Sequence, residues 1–438
     1  MEIKLNPLLS SYRLLSDAAL ASFLPFFWVY TRATGKYRRH LPERLGVIPS
    51  EAVKKISGSP RIWIHAVSLG EVQVAAAVVR ELKGVIPECS IIISTFTEHG
   101  RDLAEDTFGK EIPVIYSPLD ARFAVKRSLE AINPDVMIFM ETELWPAWIM
   151  EAGRMGIKTA LINGRISERS IKGYRRVRLF LRPLLRNFHA FSMISSVDAE
   201  RIKEMGAEAG RVVVNGSAKY DLPKNSADPS MERAVRKELN LDSSQPVFVA
   251  GSTRDGEEAL VLRAYEKITE EFPETVLILV PRHINRLAEI EAVLKKKGLK
   301  YQLRTGITEK GEKRTEKILI MNTFGELFKV YSVGTIVFCG GSLVPLGGQN
   351  PLEPAAWGKM VFYGPSMYNF LDAKALLEGI EAGVEVENPE ALAEKAVWFL
   401  NNPEILKARG AGAPEAIEKN RGAAKRHAEV IAKLAKDS

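Results

Sequence analysis

From residue 60 onward, short runs of apolar and β-branched residues alternate with longer stretches in which apolar side chains recur every three or four positions. The short runs are Arg61–Ala66, Ser90–Thr95, Val114–Tyr116, Asp135–Met140, Thr159–Asn163, Ala190–Ser195 and Val212–Asn215, and then Val247–Ala250, Thr275–Val280, Lys317–Met321, Thr335–Cys339 and Met360–Tyr363. They are apolar nearly throughout, not at every second position, so they predict strands buried on both faces. Stretches of helical period, such as Val72–Lys83 and Ala121–Ala131, separate them. This alternation predicts an α/β fold of parallel sheets with helices on both faces. The polar stretch from Asp221 to Gln245 interrupts it, and 438 residues exceed one ordinary core. The pattern therefore predicts two tandem doubly wound, Rossmann-like domains with a cleft between them. Residues 1–45 form an apolar segment with a basic flank, 46–222 the N-terminal domain and 223–438 the C-terminal domain. The helical stretch Pro389–Lys436 is long enough for its last helices to pack back on the N-terminal domain. Ligands of such sheets sit beyond the carboxyl ends of the strands, so the residues that follow strands are the ones to read for chemistry.

The most distinctive of these is Gly340–Ala356, which follows the run Thr335–Phe338. Gly340, Gly341, Gly347 and Gly348 let backbone N–H groups approach a ligand, and Asn350-Pro351 reads as an N-cap followed by the first helical residue. Strand, glycine loop and helix start together suit an anion such as a phosphate; the alternative is a tight strand-to-helix turn.

Charge and the N-terminus add a partner class. The net charge is +7 and the pI about 9.1, which points to an acidic partner, and nothing resembles a nucleic-acid module. Cys89 and Cys339 fall in or beside strand-like runs and lack metal-ligand spacing, so they read as buried free thiols. The apolar segment Leu14–Tyr30 contains Asp17 and Pro25, lacks a clear small-residue cleavage site, and is followed by Arg32, Lys36, Arg38, Arg39 and Arg44. It predicts membrane association, as a short anchor or as an interfacial helix with Phe23, Phe26, Phe27 and Trp28 in lipid; packing on the protein's own core is the alternative.

Candidate catalytic groups follow the strands. Glu71, in Ser68-Leu69-Gly70-Glu71, can act as a general base or complete a capping box with Ser68. Met140-Glu141-Thr142-Glu143-Leu144-Trp145-Pro146 brings two carboxylates together, and no Asp-x-Asp motif for a metal-bound diphosphate occurs. Asn163–Arg186 opens a very basic segment with Arg175, Arg176, Arg178 and Arg182, read as a solvated helix face or a lipid-phosphate surface. Lys219 lies at the end of the first domain, Gly251–Glu258 follows a strand of the second, and Arg282, in Pro281-Arg282-His283, is placed as a phosphate clamp.

In order and spacing, Ser68–Glu71, Met140–Pro146, Pro281–His283, Gly325-Glu326-Leu327 and Asn350–Ala356 closely resemble the bacterial 3-deoxy-D-manno-octulosonic acid (Kdo) transferases, over nearly the whole chain. The resemblance implies a glycosyltransferase B fold, CMP-Kdo as donor, and an anionic lipid A precursor (lipid IVA) as acceptor. It implies the cytoplasmic face of the bacterial inner membrane, with no cofactor, no metal, no nucleic acid and no obligate protein partner. It puts the general base on Glu71 and transition-state stabilisation on Glu141 and Lys219. It puts CMP contacts on Pro281, Arg282, Phe324, Gly325, Glu326, Asn350, Pro351, Leu352 and Glu353. Three places depart from the family pattern: Gln349 where His is usual, Ile284-Asn285 where Pro-Glu is usual, and Asn322 where Asp is usual. A sugar-nucleotide epimerase of the same fold and a non-catalytic nucleotide- or lipid-binding scaffold are the rival readings; the first would need no membrane segment and the second no base at Glu71.

Overall fold

A computed structural model describes residues 40–109, 111–221, 228–311 and 313–436, with scattered positions between 11 and 32. The chain divides into two compact units, Met1–Leu222 with Asn420–Ser438, and Pro223–Lys419.

The first unit is built on a seven-stranded sheet in the order β3-β2-β1-β4-β5-β6-β7. Its strands are β1 (Arg61–His65), β2 (Ser90–Thr95), β3 (Val114–Tyr116), β4 (Val136–Met140), β5 (Lys158–Gly164), β6 (Ala190–Met193) and β7 (Val212–Val214), all paired in parallel. Alternate residues face two separate cores. Trp63, Phe139, Phe191 and the helix Pro146–Arg154 with Trp148 pack on one face. Ile62, Ile64, Ile138 and Ile162 meet the helices Leu69–Val85 and Ala423–Lys436 on the other. Burial on both faces is the physical reason the inner strands read as continuous apolar runs; β7, at the edge, is not buried as its run suggests, with Val213 and Val214 exposed.

The second unit repeats the plan with the order β10-β11-β9-β8-β12-β13-β14. Its strands are β8 (Val247–Thr253), β9 (Val276–Pro281), β10 (Gln302–Leu303), β11 (Ile318–Ile320), β12 (Ile336–Cys339), β13 (Val361–Tyr363) and β14 (Gly383–Glu385). The expected runs all contain strands. β10 and β14 lie outside them because they are short, half-buried edge strands with no apolar run to read. The helix Pro229–Glu238 leads into this unit.

One expectation about the basic N-terminal region changes. Arg44 is not part of a solvated flank: it is buried, donates through Nη2 to Phe96 O at 2.8 Å, and lies over the Phe96 and Tyr116 rings. Lys36, Arg38, Arg39 and much of Leu14–Tyr30, including Phe23, Phe27 and Trp28, lie outside the described residues. Within that segment Leu15, Phe26 and Val29 are exposed, whereas Tyr12, just before it, donates to Asp120 Oδ2 at 2.7 Å and packs on Phe180. Among the described residues no helix is long and apolar enough to cross a membrane.

Candidate active site

In each sheet the chain reverses its direction of growth once, at β1/β4 in the first unit and at β8/β12 in the second. Strand connections diverge there and leave a crevice beyond the strand ends. Glu71 follows β1 and Glu141 follows β4, so both belong to the first of these positions.

Glu71 lies in the first turn of the helix Leu69–Val85 and is 7% exposed. Its Oε2 accepts from the Val67 N–H and its Oε1 from the Ser68 hydroxyl, both at 2.9 Å. The capping box therefore does not form: Glu71 reaches past the cap to the Val67 N–H, not the Ser68 N–H, and the Ser68 hydroxyl bonds the carboxylate instead of a helical N–H. Burial, and then the charges of Glu141 and Glu143, push the Glu71 carboxyl up to about 8. A carboxylate so tuned binds a proton at neutral pH far more readily than an exposed one, which suits proton transfer.

Glu141 is held differently. Its backbone is left-handed, with φ 48°, a conformation rarely taken by a residue that carries a side chain. Its N–H donates to Ile162 O at 3.0 Å, and its own carbonyl accepts from the Arg165 N–H at 3.3 Å. Lys219 Nζ stands 3.1 Å from Oε1 and Arg165 Nη2 3.9 Å from Oε2. Burial pushes the Glu141 carboxyl up, but the charges of Lys219 and Arg165 outweigh it and hold it below its ordinary value. Glu143 goes the other way: burial and the charge of Glu141 raise it, against a hydrogen bond from the Trp145 indole. Three neighbouring carboxyl groups thus have proton affinities driven apart by their surroundings, the pattern that separates acid–base roles. Thr142, Glu143, Leu144, Trp145, Tyr174 and Leu181 line a cavity of about 330 Å³ beside them.

In the second unit the glycine loop follows β12, but it does not offer its N–H groups as expected. Glu257, fully buried, accepts from Gly341 N (2.6 Å), Ser342 N (3.0 Å) and Leu343 N (2.9 Å). Gly340, Gly347 and Gly348 donate to Gly251 O, Ser366 Oγ and Gly341 O. The anion in this loop is the protein's own carboxylate. Gly347 and Gly348 are required all the same: both have positive φ, and a Cβ would fall 2.2 Å from Asn369 Nδ2 and from Met367 Sδ. The helix after the loop is also shorter than the Asn-Pro signal suggests. It spans Leu352–Ala355, Pro351 takes the cap position, and Asn350 Oδ1 accepts from Leu352 N at 3.1 Å. A single turn sums few peptide dipoles, so positive charge here must come from side chains.

Arginines supply it. Arg282 follows β9, with its N–H on Thr253 O at 3.0 Å. Burial lowers its proton affinity, the Glu353 charge raises it and the Arg254 charge lowers it. Two guanidinium groups thus face one region, and the buried Arg254 Nε has no acceptor among the described residues. Glu353 is raised by burial, against the charge of Arg282 and a hydrogen bond from Asn350. Pro281 ends β9. Phe324 is 80% exposed next to Gly325, whose φ is 80°. Glu326 is occupied by protein partners: Arg304 through Nε at 3.0 Å and Nη2 at 2.7 Å, and the Thr323 hydroxyl.

The family described as 3-Deoxy-D-manno-octulosonic-acid transferase (kdotransferase) matches residues 39–222, the segment that carries Glu71, Glu141 and Lys219. A 3-deoxy-D-manno-octulosonic acid transferase of Haemophilus influenzae is 31% identical over 404 residues, 92% of this chain and 93% of that protein. This chain belongs to the Kdo transferase family. A Kdo transferase of Aquifex aeolicus is 30% identical over 362 residues, 82% of this chain and 91% of its own. Among solved structures, a glycosyltransferase from Rickettsia africae superposes with a TM-score of 0.59 at 15% identity, covering 86% of this chain and 99% of its own. A UDP-GlcNAc 2-epimerase from Neisseria meningitidis bound to UDP-GlcNAc superposes with a TM-score of 0.56 at 12% identity, over 86% of this chain and 100% of its own. Both show the glycosyltransferase B-like fold alone, which explains why an epimerase was a plausible rival on architecture. As a Kdo transferase the chain is a glycosyltransferase enzyme, a family acting on a sugar-nucleotide donor and a lipid acceptor.

Within this Kdo transferase, one departure from the family pattern is locally accommodated. Asn322 Oδ1 accepts from Thr305 N at 3.0 Å and Nδ2 donates to Thr305 Oγ1 at 2.9 Å, so the amide fills both halves of a pairing that an aspartate would fill with the hydroxyl reversed. Four residues near the candidate groups escaped the sequence reading as individuals: Asn163, Arg165, Arg254 and Glu257. Asn163 and Arg254 carry the one visible signal, a polar residue at or directly after a strand end. Glu257 looks like an ordinary acid in a first helical turn, and Arg165 like the start of a basic helix face.

Proposed function

We propose that this enzyme moves Kdo from CMP-Kdo to a lipid A precursor such as lipid IVA, without a metal, at the cytoplasmic face of the bacterial inner membrane. The observation that carries this reading is Glu71, a buried carboxylate at a sheet's switch point whose proton affinity is raised towards that of a working base. Glu71 takes the proton of the acceptor hydroxyl. The hydroxyl oxygen forms a bond to the anomeric carbon of Kdo, the bond from that carbon to the phosphate oxygen breaks, and CMP leaves with the electron pair. Such displacements gather positive charge on the sugar ring. Glu141, kept ionised by Lys219 3.1 Å away, is suited to offset it. Arg282 and Arg254 suit the phosphate of the donor, the exposed ring of Phe324 suits its base, and Pro281, Gly325, Glu326 and Asn350–Glu353 complete the donor side. Glu326 would help by shape, since both its oxygens already have partners.

Membrane association is supported by the exposed Val177 and Leu179 among Arg175, Arg176 and Arg178, and by the exposed Leu15, Phe26 and Val29 of the N-terminal segment. Deleting residues 1–32 should release the protein from vesicles of anionic lipid; because Tyr12 is then lost from Asp120, a lower melting temperature should accompany release.

The decisive experiment follows CMP release from CMP-Kdo in chelator-treated buffer. CMP should appear only when the lipid A precursor is added, with the sugar on the lipid. Release without acceptor, or release only after a divalent cation is restored, contradicts the reading.

A further inference from the structure

Lys219 lies in a single turn of 3-10 helix, Ala218–Asp221, which on its own would not hold an amine in place. The ends of the surrounding segment are tied to the C-terminal helix. Asp221 accepts from Gly422 N and Ala424 N, both at 2.7 Å; Arg426 Nε donates to Asn215 O at 2.8 Å; and His427 Nε2 lies 3.0 Å from Gly216 O. One side chain reaches the middle of the segment from the sheet. Asn163, 1% exposed at the end of β5, accepts from the Ala218 N–H, the residue before Lys219, through Oδ1 at 2.9 Å. Asn163 has a left-handed backbone, φ 53°, as has Glu141 at the end of the adjoining β4. The Glu141 N–H donates to Ile162 O, the carbonyl just before Asn163. The two ends of the Lys219–Glu141 ion pair are therefore referred to the same strand end.

We propose that Asn163 is a positioning residue for Lys219: it fixes the turn that sets the lysine amine against Glu141, and touches neither substrate. This inference rests on the role given to Lys219 above. Asparagine suits the position twice, because it tolerates the left-handed backbone and because its short side chain presents an acceptor. The two contributions separate by substitution. Asn163→Gly keeps the backbone conformation and removes only the acceptor, whereas Asn163→Asp keeps both.

The test measures kcat, both KM values, CMP affinity and melting temperature on the full-length enzyme. Asn163→Gly should lower kcat by about 10–100-fold, the usual effect of misplacing a catalytic group by about an ångström, with both KM values and CMP affinity nearly unchanged. Asn163→Asp should recover most of the loss. In a Lys219→Ala background, Asn163→Gly should add nothing, because the group it positions is gone. Asn163→Ser, too short to reach the Ala218 amide, makes the same comparison if glycine loosens the strand end. Wild-type kcat in Asn163→Gly beside a disabled Lys219→Ala overturns the inference alone, and so does full additivity in the double variant. A fully active Lys219→Ala enzyme overturns the role of Lys219 itself and this inference with it.

Discussion

Glu71 and Glu257 occupy the same place in the two halves of this chain. Each is in the first turn of the helix after the first strand of a doubly wound sheet, each is buried, and burial raises the proton affinity of each. They differ in what surrounds them. Glu257 accepts from the N–H groups of Gly341, Ser342 and Leu343, with Arg254 N–H at 3.4 Å, and so fills the glycine loop from inside. Glu71 has one N–H and one hydroxyl, and faces Glu141 and Glu143. A saturated carboxylate holds a loop together, whereas a half-satisfied one beside like charges can exchange a proton with a substrate. Position in the fold is shared, and the local donor count decides the chemistry.

The strongest way to break this comparison is Glu71→Gln. The amide oxygen can still accept from Val67 N–H and the amide nitrogen can donate to Ser68 Oγ, so the helix start survives, but no base remains. Turnover should fall by about 10²–10⁴-fold, with CMP affinity little changed and the melting temperature little changed at low pH, where both side chains are neutral. A fully active variant would falsify the role of Glu71 and make Glu141 the next candidate.

Arg282→Ala tests whether the second unit, its loop filled by Glu257, relies on side chains for anion binding. CMP affinity measured by calorimetry should weaken by about 1.5–3 kcal/mol, the worth of a hydrogen bond to a charged group. Unchanged affinity would move the phosphate elsewhere, with Arg254 next to be replaced.

Glu257→Gln should act on stability. One amide oxygen cannot serve the donors that two carboxylate oxygens serve, and an unmet buried N–H costs about 1–3 kcal/mol, readable by denaturant unfolding. If stability is unchanged, Glu257 is not the loop's anchor.

The remaining test is of pH dependence. With Glu71 raised from 4.5 to about 8, the folded state holds a proton that the unfolded state has released across that window. The stability it contributes is therefore complete below pH 4.5 and is lost as pH rises towards 8. Glu71→Gln should flatten that decline, while kcat/KM of the wild type should rise with pH through about 8 as the base ionises. A wild-type profile with no ionisation between pH 6 and 9 would remove the proposed tuning.

How much of this could be read in advance follows from the range of each interaction. The runs Ile62–Ile64 and Val276–Val280 announce strands because burial on both faces leaves an unbroken apolar signature. Glu71, Glu141 and Arg282 were visible because parallel sheets put their chemistry just after strands. The partners that set their properties are distant in sequence: Arg165 and Lys219 around Glu141, Arg254 beside Arg282, and Glu257 under a loop more than eighty residues away. No periodicity or spacing encodes those approaches.

By itself, then, the sequence determined the two α/β halves, the order of their strands along the chain and the residue types at strand ends, because hydrophobic period and turn chemistry are local. Tertiary structure alone decided three things: that the glycine loop is closed by an internal carboxylate, that Arg44 is buried, and which bonds of the returning last helix hold the Lys219 turn. Each is settled by which long-range neighbour desolvates a group or satisfies its hydrogen bonds, and that depends on how the sheets and helices pack.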